Sequence, residues 1–173
     1  AVTIPDNHPF PRIEDIVDQL RDNEVFTILD MSSGFWHIRI HPEDVYKTAF
    51  VTQGDHYEWL VMPFGLRNAP AIFQRTVHNI LQKHNLTPFC KNYLDDILIH
   101  SKGINKHLEH LKRVFEVLQL ENIKLKLSKC QFAQPEVQYL GHIITKNKIQ
   151  PFNDNTKSIN DFPSPSNIKS VQR

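Results

Sequence analysis

Two neighbouring acids constrain this chain more than any other feature. Asp95 and Asp96 are all that separates two strand-like runs, residues 89–94 and 97–100, so the chain reverses at them and both should occupy the turn of a hairpin. Side chains of consecutive strand residues point to opposite faces, and adjacent acids can share one site only at a bend. Carboxylates held together repel and raise each other's pKa unless a cation lies between them, so a divalent metal is the economical resolution. Aspartate is also a common turn former. The pair gains meaning from a third acid, Asp30, which ends the apolar run Phe26-Thr27-Ile28-Leu29. Hard oxygen ligands suit Mg²⁺, and two such ions ~3.5–4 Å apart clamp the attacking and leaving oxygens of an in-line phosphoryl displacement.

The surrounding pattern predicts an α+β domain. Ile13, Ile16, Val17 and Leu20 recur at helical spacing after the proline-punctuated opening, and residues 25–30 form a short β-branched and aromatic strand. Residues 36–41 alternate apolar with polar as a half-buried strand does. Residues 48–52 and 56–62 flank Gln53-Gly54-Asp55, whose glycine is expected to supply the positive φ of a hairpin turn. A helix is expected from Asn68 and Pro70 to Lys83, and another over 106–120 with Leu108, Leu111, Val114, Phe115 and Leu118 on its apolar face. Residues 123–127 alternate like an edge strand, and 137–145 read as a last strand with Gly141 inside it. From Pro151 the chain turns polar and rich in Pro, Ser and Asn, as linkers are. This order predicts a mainly antiparallel sheet with helices against one face.

Composition excludes several other classes. At 173 residues with 40% hydrophobic content, the chain suits one globular domain with a core of its own. Cys90 and Cys130 form no C-x-x-C pair, so a disulfide framework and a zinc knuckle are not indicated, and a reducing intracellular setting fits. No apolar stretch approaches the ~18 residues of a membrane span, and the opening residues include Asp6, Glu14, Asp15 and Asp18 rather than a targeting signal. Residues 1–99 hold 8 Lys/Arg against 13 Asp/Glu, a balance of −5, while residues 100–173 hold 12 against 6, a balance of +6. That asymmetry suits a metal site beside a polyanion, although charge runs are usually solvated faces. His107 and His110 share a helix face at the spacing of a metal pair, with no third ligand in evidence. The chain opens on Ala1 rather than Met, from which a segment of a longer polypeptide is expected.

Five blocks, in order, resemble a known family. Phe26-Thr27-Ile28-Leu29-Asp30-Met31-Ser32-Ser33-Gly34-Phe35 resembles the first-aspartate motif of reverse transcriptases, and Tyr93-Leu94-Asp95-Asp96 their Tyr-x-Asp-Asp box. Lys47-Thr48-Ala49-Phe50, the run from Met62 to Gln74, and Tyr139-Leu140-Gly141-His142, which is similar to the primer-grip hairpin, complete the set. The match is to retroviral enzymes and, more closely, to gypsy-type long-terminal-repeat retrotransposons with their retrovirus-related Pol polyproteins.

The resemblance implies a polymerase palm with part of the fingers over residues 1–150, and a linker over 151–173 toward the connection and ribonuclease H region. It implies an RNA-directed DNA polymerase, a nucleotidyltransferase that extends a primer with deoxynucleotides on an RNA or DNA template. Asp30 and Asp95 would ligate both Mg²⁺ ions, for which Mn²⁺ can substitute, with Asp96 a less direct but required partner. Phe35 would wall the sugar and exclude a 2′-hydroxyl. Phe64 stands where retroviral enzymes carry Gln, so any nucleotide contact there is apolar or through backbone. Lys129 would lie near the triphosphate, Lys124 and Lys126 would track template-primer phosphates, and Tyr93, Tyr139, Leu140 and Gly141 would face nucleic acid. The implied partners are the upstream fingers, thumb and ribonuclease H, with protease and integrase, in the cytoplasm or virus-like particles and without a membrane. Two other readings stay open: a palm that makes RNA, which Phe35 opposes, and a domesticated segment that keeps the acids without catalysis.

Overall fold

The computed structural model describes residues 3–152. Its centre is a four-stranded antiparallel sheet in the order β4-β5-β1-β6, formed by β1 (Val25–Asp30), β4 (Cys90–Tyr93), β5 (Asp96–Ser101) and β6 (Gln131–Gln134). The middle four residues of β1 and the last five of β5 are all buried, which identifies a sheet covered on both faces. On one face lie α2 (Ala69–Lys83) and α3 (Ile104–Leu120), which bring Phe73, Val77, Leu81, Leu111, Val114 and Leu118 against Leu29, Ile97 and Ile99. The opposite face is not bare. There α1 (Ile13–Asp18), with Leu20 just beyond it, and a three-stranded sheet of β7 (Glu136–Tyr139), β8 (His142–Thr145) and β9 (Ile149–Pro151) pack on Phe26, Ile28 and Leu98. The short hairpin β2 (Phe50–Val51) and β3 (His56–Tyr57) stands apart as a third sheet.

Several expected elements take a different form. Residues 36–41 are not one strand, because Ser33 adopts φ 51° and starts a 3₁₀ turn over Gly34–His37, which the His37 ring closes by bonding back to the Gly34 carbonyl. Only beyond it does the backbone run extended, bridging Arg39 to Val61. The second hairpin is shorter at both ends, since Pro42–Thr48 is a 3₁₀ turn and the Trp59 amide donates to the Thr48 hydroxyl instead of to a strand. Gly54 does not take a positive φ; the turn closes through Thr52, whose amide donates to the Asp55 carbonyl. The expected edge strand at 123–127 reduces to one bridge, Met31 to Leu125, followed by a 3₁₀ turn at Leu127–Lys129. The strand beside β1 is β6, hidden from pattern reading because all four of its residues are exposed. The stretch 137–145 is a hairpin, β7 to β8, reversed by Leu140 and Gly141 at φ 50° and 77°. On α3 the buried face is turned: Leu108 is exposed and His107 is fully buried. Apart from Pro151, which closes β9, and Phe152, the expected linker lies outside the described residues.

Candidate active site

The hairpin that joins β4 to β5 turns on Leu94 and Asp95, with Tyr93 and Asp96 as its last paired residues. Asp96 therefore starts β5 rather than sitting in the bend, because the left-handed backbone of Leu94, φ 50°, makes the reversal one residue earlier than the sequence suggests. That shift places Asp96 directly opposite Asp30, the last residue of β1, as a cross-strand pair. Directly opposed residues share a face at close Cβ spacing, and like charges there repel. The Met31 amide donates to the Asp95 carbonyl at 3.2 Å, so the third acid is tied to the same strand end.

Asp30 and Asp95 open into one cleft of about 430 Å³, walled by Ser32, Ser33, Gly34, Phe64, Lys126 and Lys129 among others. Asp96 is not among the lining residues. The backbone of the Lys124 to Lys126 segment forms one wall: the Ser32 amide donates to the Lys124 carbonyl and the Lys126 amide to the Asp30 carbonyl, both at 2.9 Å. The His37 ring holds the opposite side in register, since Nδ1 faces the Gly34 carbonyl and Nε2 accepts from the Lys124 amide, both at 3.0 Å. Lys129 reaches in, with Nζ 3.3 Å from Asp30 Oδ2. Burial, with the Asp30 charge beside it, holds the Asp95 carboxyl above its ordinary value; His37 and Lys129 pull the other way. Asp96 is raised by burial and then by Asp30 and Asp95.

Asp95 Oδ1 is buried and has no hydrogen-bond partner among the described residues. An acceptor-only oxygen left so is costly to ionise unless a cation comes to it. Gly34 backs that oxygen closely, since a Cβ built there would meet Asp95 Oδ1 and the Phe73 ring. The donor set is all oxygen, as a hard divalent ion requires. Among the described residues no group of three or more acidic, His or Cys side chains gathers into a complete ligand cage. The carboxylates thus suit a metal that takes its other ligands from phosphate and water, and on these grounds the residues fit the group.

The other expected site residues fall in different places. Phe35 is half-buried and does not line the cleft; its ring packs between Phe64, at 5.1 Å, and Phe73, at 5.2 Å, while Phe64 forms the wall. Lys124 and Lys126 are exposed, and Tyr93 packs 6.0 Å from Phe10. Tyr139 departs from expectation: only 3% exposed, its ring is part of the core under β7, and what the hairpin turns outward is Gly141. A tyrosine so placed supports the turn from within the core. His107 and His110 are not a metal pair, because both Nδ1 atoms meet the Ser101 hydroxyl, and His107 Nε2 lies 2.7 Å from the Thr27 hydroxyl. Sequence reading quoted Gly34 and Gln74 within its motif blocks but gave neither them nor His37 a role. The signal for Gln74 was an amide on the apolar side of α2, next to Phe73. A second cleft, about 450 Å³ and walled by Phe10, Ile16, Leu81 and Cys90 among others, contains none of the three acids.

A two-sided antiparallel sheet whose central strands end in facing carboxylates, with a third acid on the adjoining turn, defines a polymerase palm. The sequence profile described as Reverse transcriptase (RNA-dependent DNA polymerase) matches residues 1–144, and the chain belongs to that family. It is 43% identical over 171 residues to the Retrovirus-related Pol polyprotein from transposon 297 of Drosophila melanogaster, a match that covers 99% of this chain and 16% of that protein. It is 35% identical to the corresponding polyprotein from transposon gypsy of the same species, covering 98% of this chain and 16% of that one. Among solved structures, the foamy viral protease-reverse transcriptase in complex with double-stranded DNA superposes with a TM-score of 0.85 at 27% identity, covering 98% of this chain and 29% of that one. The chain therefore spans about one sixth of the length of these Pol polyproteins.

Proposed function

We propose that this chain is the palm, with part of the fingers, of an RNA-directed DNA polymerase that extends a primer with deoxynucleotides through two bound divalent ions, Mg²⁺ by preference. The observation that carries this reading is the buried, unpartnered Asp95 Oδ1 on a hairpin whose next residue, Asp96, is strand-paired with Asp30. Asp30 and Asp95 would hold the ions at the cleft, with Asp96 beside Asp30 supporting the site from the sheet. Two ions bound there neutralise charge on the attacking and leaving oxygens of an in-line displacement. The protein's own part is positioning. The Ser33–Gly34 turn, with no side chain at Gly34 to displace Asp95 Oδ1, backs that carboxylate at close range. Phe64, with Phe35 packed behind it, makes the apolar wall that a deoxyribose suits and a 2′-hydroxyl does not. Lys129, now on Asp30, and Lys126 would provide positive charge for a triphosphate, while Lys124, Tyr93 and the Leu140–Gly141 turn would follow a template-primer.

The partners in this reading are an RNA or DNA template with its primer, deoxynucleotides, and the remainder of a Pol polyprotein, including thumb and ribonuclease H. The setting is intracellular, in cytoplasm or virus-like particles; among the described residues no helix is long and apolar enough to cross a membrane. The test is primer extension by a chain extended on both sides to the full polymerase, with Asp30→Asn and Asp95→Asn made separately. Each should slow extension roughly a thousandfold or more, several kcal/mol of transition-state stabilisation. A rate above a tenth of the parental value for either variant, with the fold intact, rules the assignment out.

A further inference from the structure

A buried amide on the helix behind the acids bonds to the hairpin that carries them. Gln74 lies on α2 and is only 2% exposed. Glutamine is seldom buried to that extent without partners, and here the amide is used at both ends. Its Oε1 accepts from the Leu94 amide at 2.7 Å, and its Nε2 donates to the Asn92 carbonyl at 3.2 Å. The two backbone groups flank Tyr93, at the end of β4 and the start of the turn. One side chain thus grips the hairpin immediately before Asp95.

The grip matters because of what it holds. Leu94 sits at φ 50°, the left-handed region that favours glycine and is uncommon for a leucine. The conformation is strained, and strain of this kind persists only when the surroundings over-determine it. The Leu94 amide finds its acceptor in Gln74, so losing that acceptor removes the compensation and leaves a part-buried donor unpaired. If Leu94 relaxes, the reversal moves along the chain. Asp95 Oδ1 then leaves its place against Gly34, and the Asp96–Asp30 pairing is disturbed, since both are set by the same bend.

We propose that Gln74 is a positioning residue for the metal-binding acids, clamping Leu94 in its left-handed conformation so that Asp95 presents its carboxylate at the cleft and Asp96 stays paired with Asp30. The proposal rests on the reading of those acids as metal ligands, and its test separates the two. In the chain of residues 1–173, amide hydrogen exchange at Leu94 is compared without metal for the unsubstituted protein, Gln74→Met and Gln74→Glu. Mn²⁺ affinity is titrated on the same samples, with Val77→Ala as a control that loosens the same helix without touching the hairpin. Gln74→Met matches the shape but makes neither bond. It should lose Leu94 protection and bind Mn²⁺ at least tenfold more weakly. Gln74→Glu keeps an oxygen for the Leu94 amide and should retain most of both, while Val77→Ala should leave Mn²⁺ affinity unchanged. In the extended polymerase, Gln74→Met should lower kcat by about a hundredfold, the usual cost of a ~1 Å misplacement, with little change in KM for deoxynucleotide.

Unchanged Leu94 protection in Gln74→Met overturns the clamp. Lost protection with unaltered Mn²⁺ affinity and kcat overturns the positioning role. An equal loss of Mn²⁺ affinity in Val77→Ala reduces Gln74 to ordinary packing and overturns it as well. If the unsubstituted chain and Asp95→Asn bind Mn²⁺ alike, the metal reading itself falls and the positioning role with it, whereas the exchange arm still reports whether Gln74 holds the turn.

Discussion

Acidifying the protein to pH 5 should unfold it far more readily than its carboxylates alone would explain. The cause lies under α3, where His107 is fully buried and His100 is 6% exposed. Burial first, and then the Lys91, His110 and His107 charges, push His100 down to about 4; burial and then His110 do the same to His107. Neither ring nitrogen of His100 has a partner among the described residues, so a proton there gains no hydrogen bond in return. The unfolded histidines titrate near 6.5. A group with a lowered folded value contributes stability above its unfolded pKa and loses it as pH falls toward the folded one. Between pH 7 and pH 5 the linkage relation gives about 2 kcal/mol for each histidine, and up to ~4 kcal/mol for the two. Against a typical domain stability of about 5–15 kcal/mol this is a large fraction. Asp95 and Asp96 act with the opposite sign, because their carboxyls are raised and protonation relieves them as pH falls into their own range. The assay is urea unfolding at pH 7, 6 and 5, followed by the fluorescence of Trp36 and Trp59. His100→Phe should flatten the profile by about half. Equal unfolding free energies at pH 7 and pH 5, or a slope unaltered by His100→Phe, would refute the reasoning.

Three further outcomes are expected. Mg²⁺ at ten times its dissociation constant should stabilise the chain by about 1.4 kcal/mol and raise Tm by roughly 3–5 °C; Asp95→Asn should raise the metal-free Tm and abolish this response, and a variant that still responds in full contradicts it. Phe35→Val in the extended polymerase should improve ribonucleotide use relative to deoxynucleotide by at least ~10-fold, measured by single-nucleotide incorporation; an equal fall for both sugars makes Phe35 a packing residue alone. Residues 1–173 should extend a primer at less than about a tenth of the rate of the extended chain, because in-line transfer depends on holding triphosphate and duplex in near-attack geometry; comparable specific activities would show that the palm suffices.

What the sequence made legible was whatever depends on local pattern. The two runs around Asp95-Asp96 announce a hairpin, and β1 and α2 stand out by burial period and by Pro70. Other features depend on distant partners. Leu108 fits the helical apolar face better than His107 does, yet His107 is the buried one because Thr27 and Ser101, from two different strands, supply its hydrogen bonds. The strand β6 has no buried residue to mark it, and its place is set by pairing with β1 across more than a hundred residues. Gly54 invites a positive φ and does not take it, whereas Ser33, Leu94 and Leu140 take one without being glycine. At the candidate site, the three acids could be named from their neighbours. Their relation to one another, and the amide of Gln74 beneath them, could not.

The pairing of Asp30 with Asp96 also fixes where this protein can vary in length. A slip of one residue between antiparallel strands sends every side chain to the opposite face. One residue inserted into β1 or β5 would therefore turn an acid away from its partner even if every hydrophobic side chain found a new place. The segment between the 3₁₀ turn at Pro42–Thr48 and β3 is under no such rule: among the described residues its hairpin pairs only with itself. Related chains should keep β1 and β5 at constant length residue for residue, and concentrate their insertions and deletions in the Gln53-Gly54-Asp55 turn. The two central strands act as a ruler whose zero mark is the acid pair.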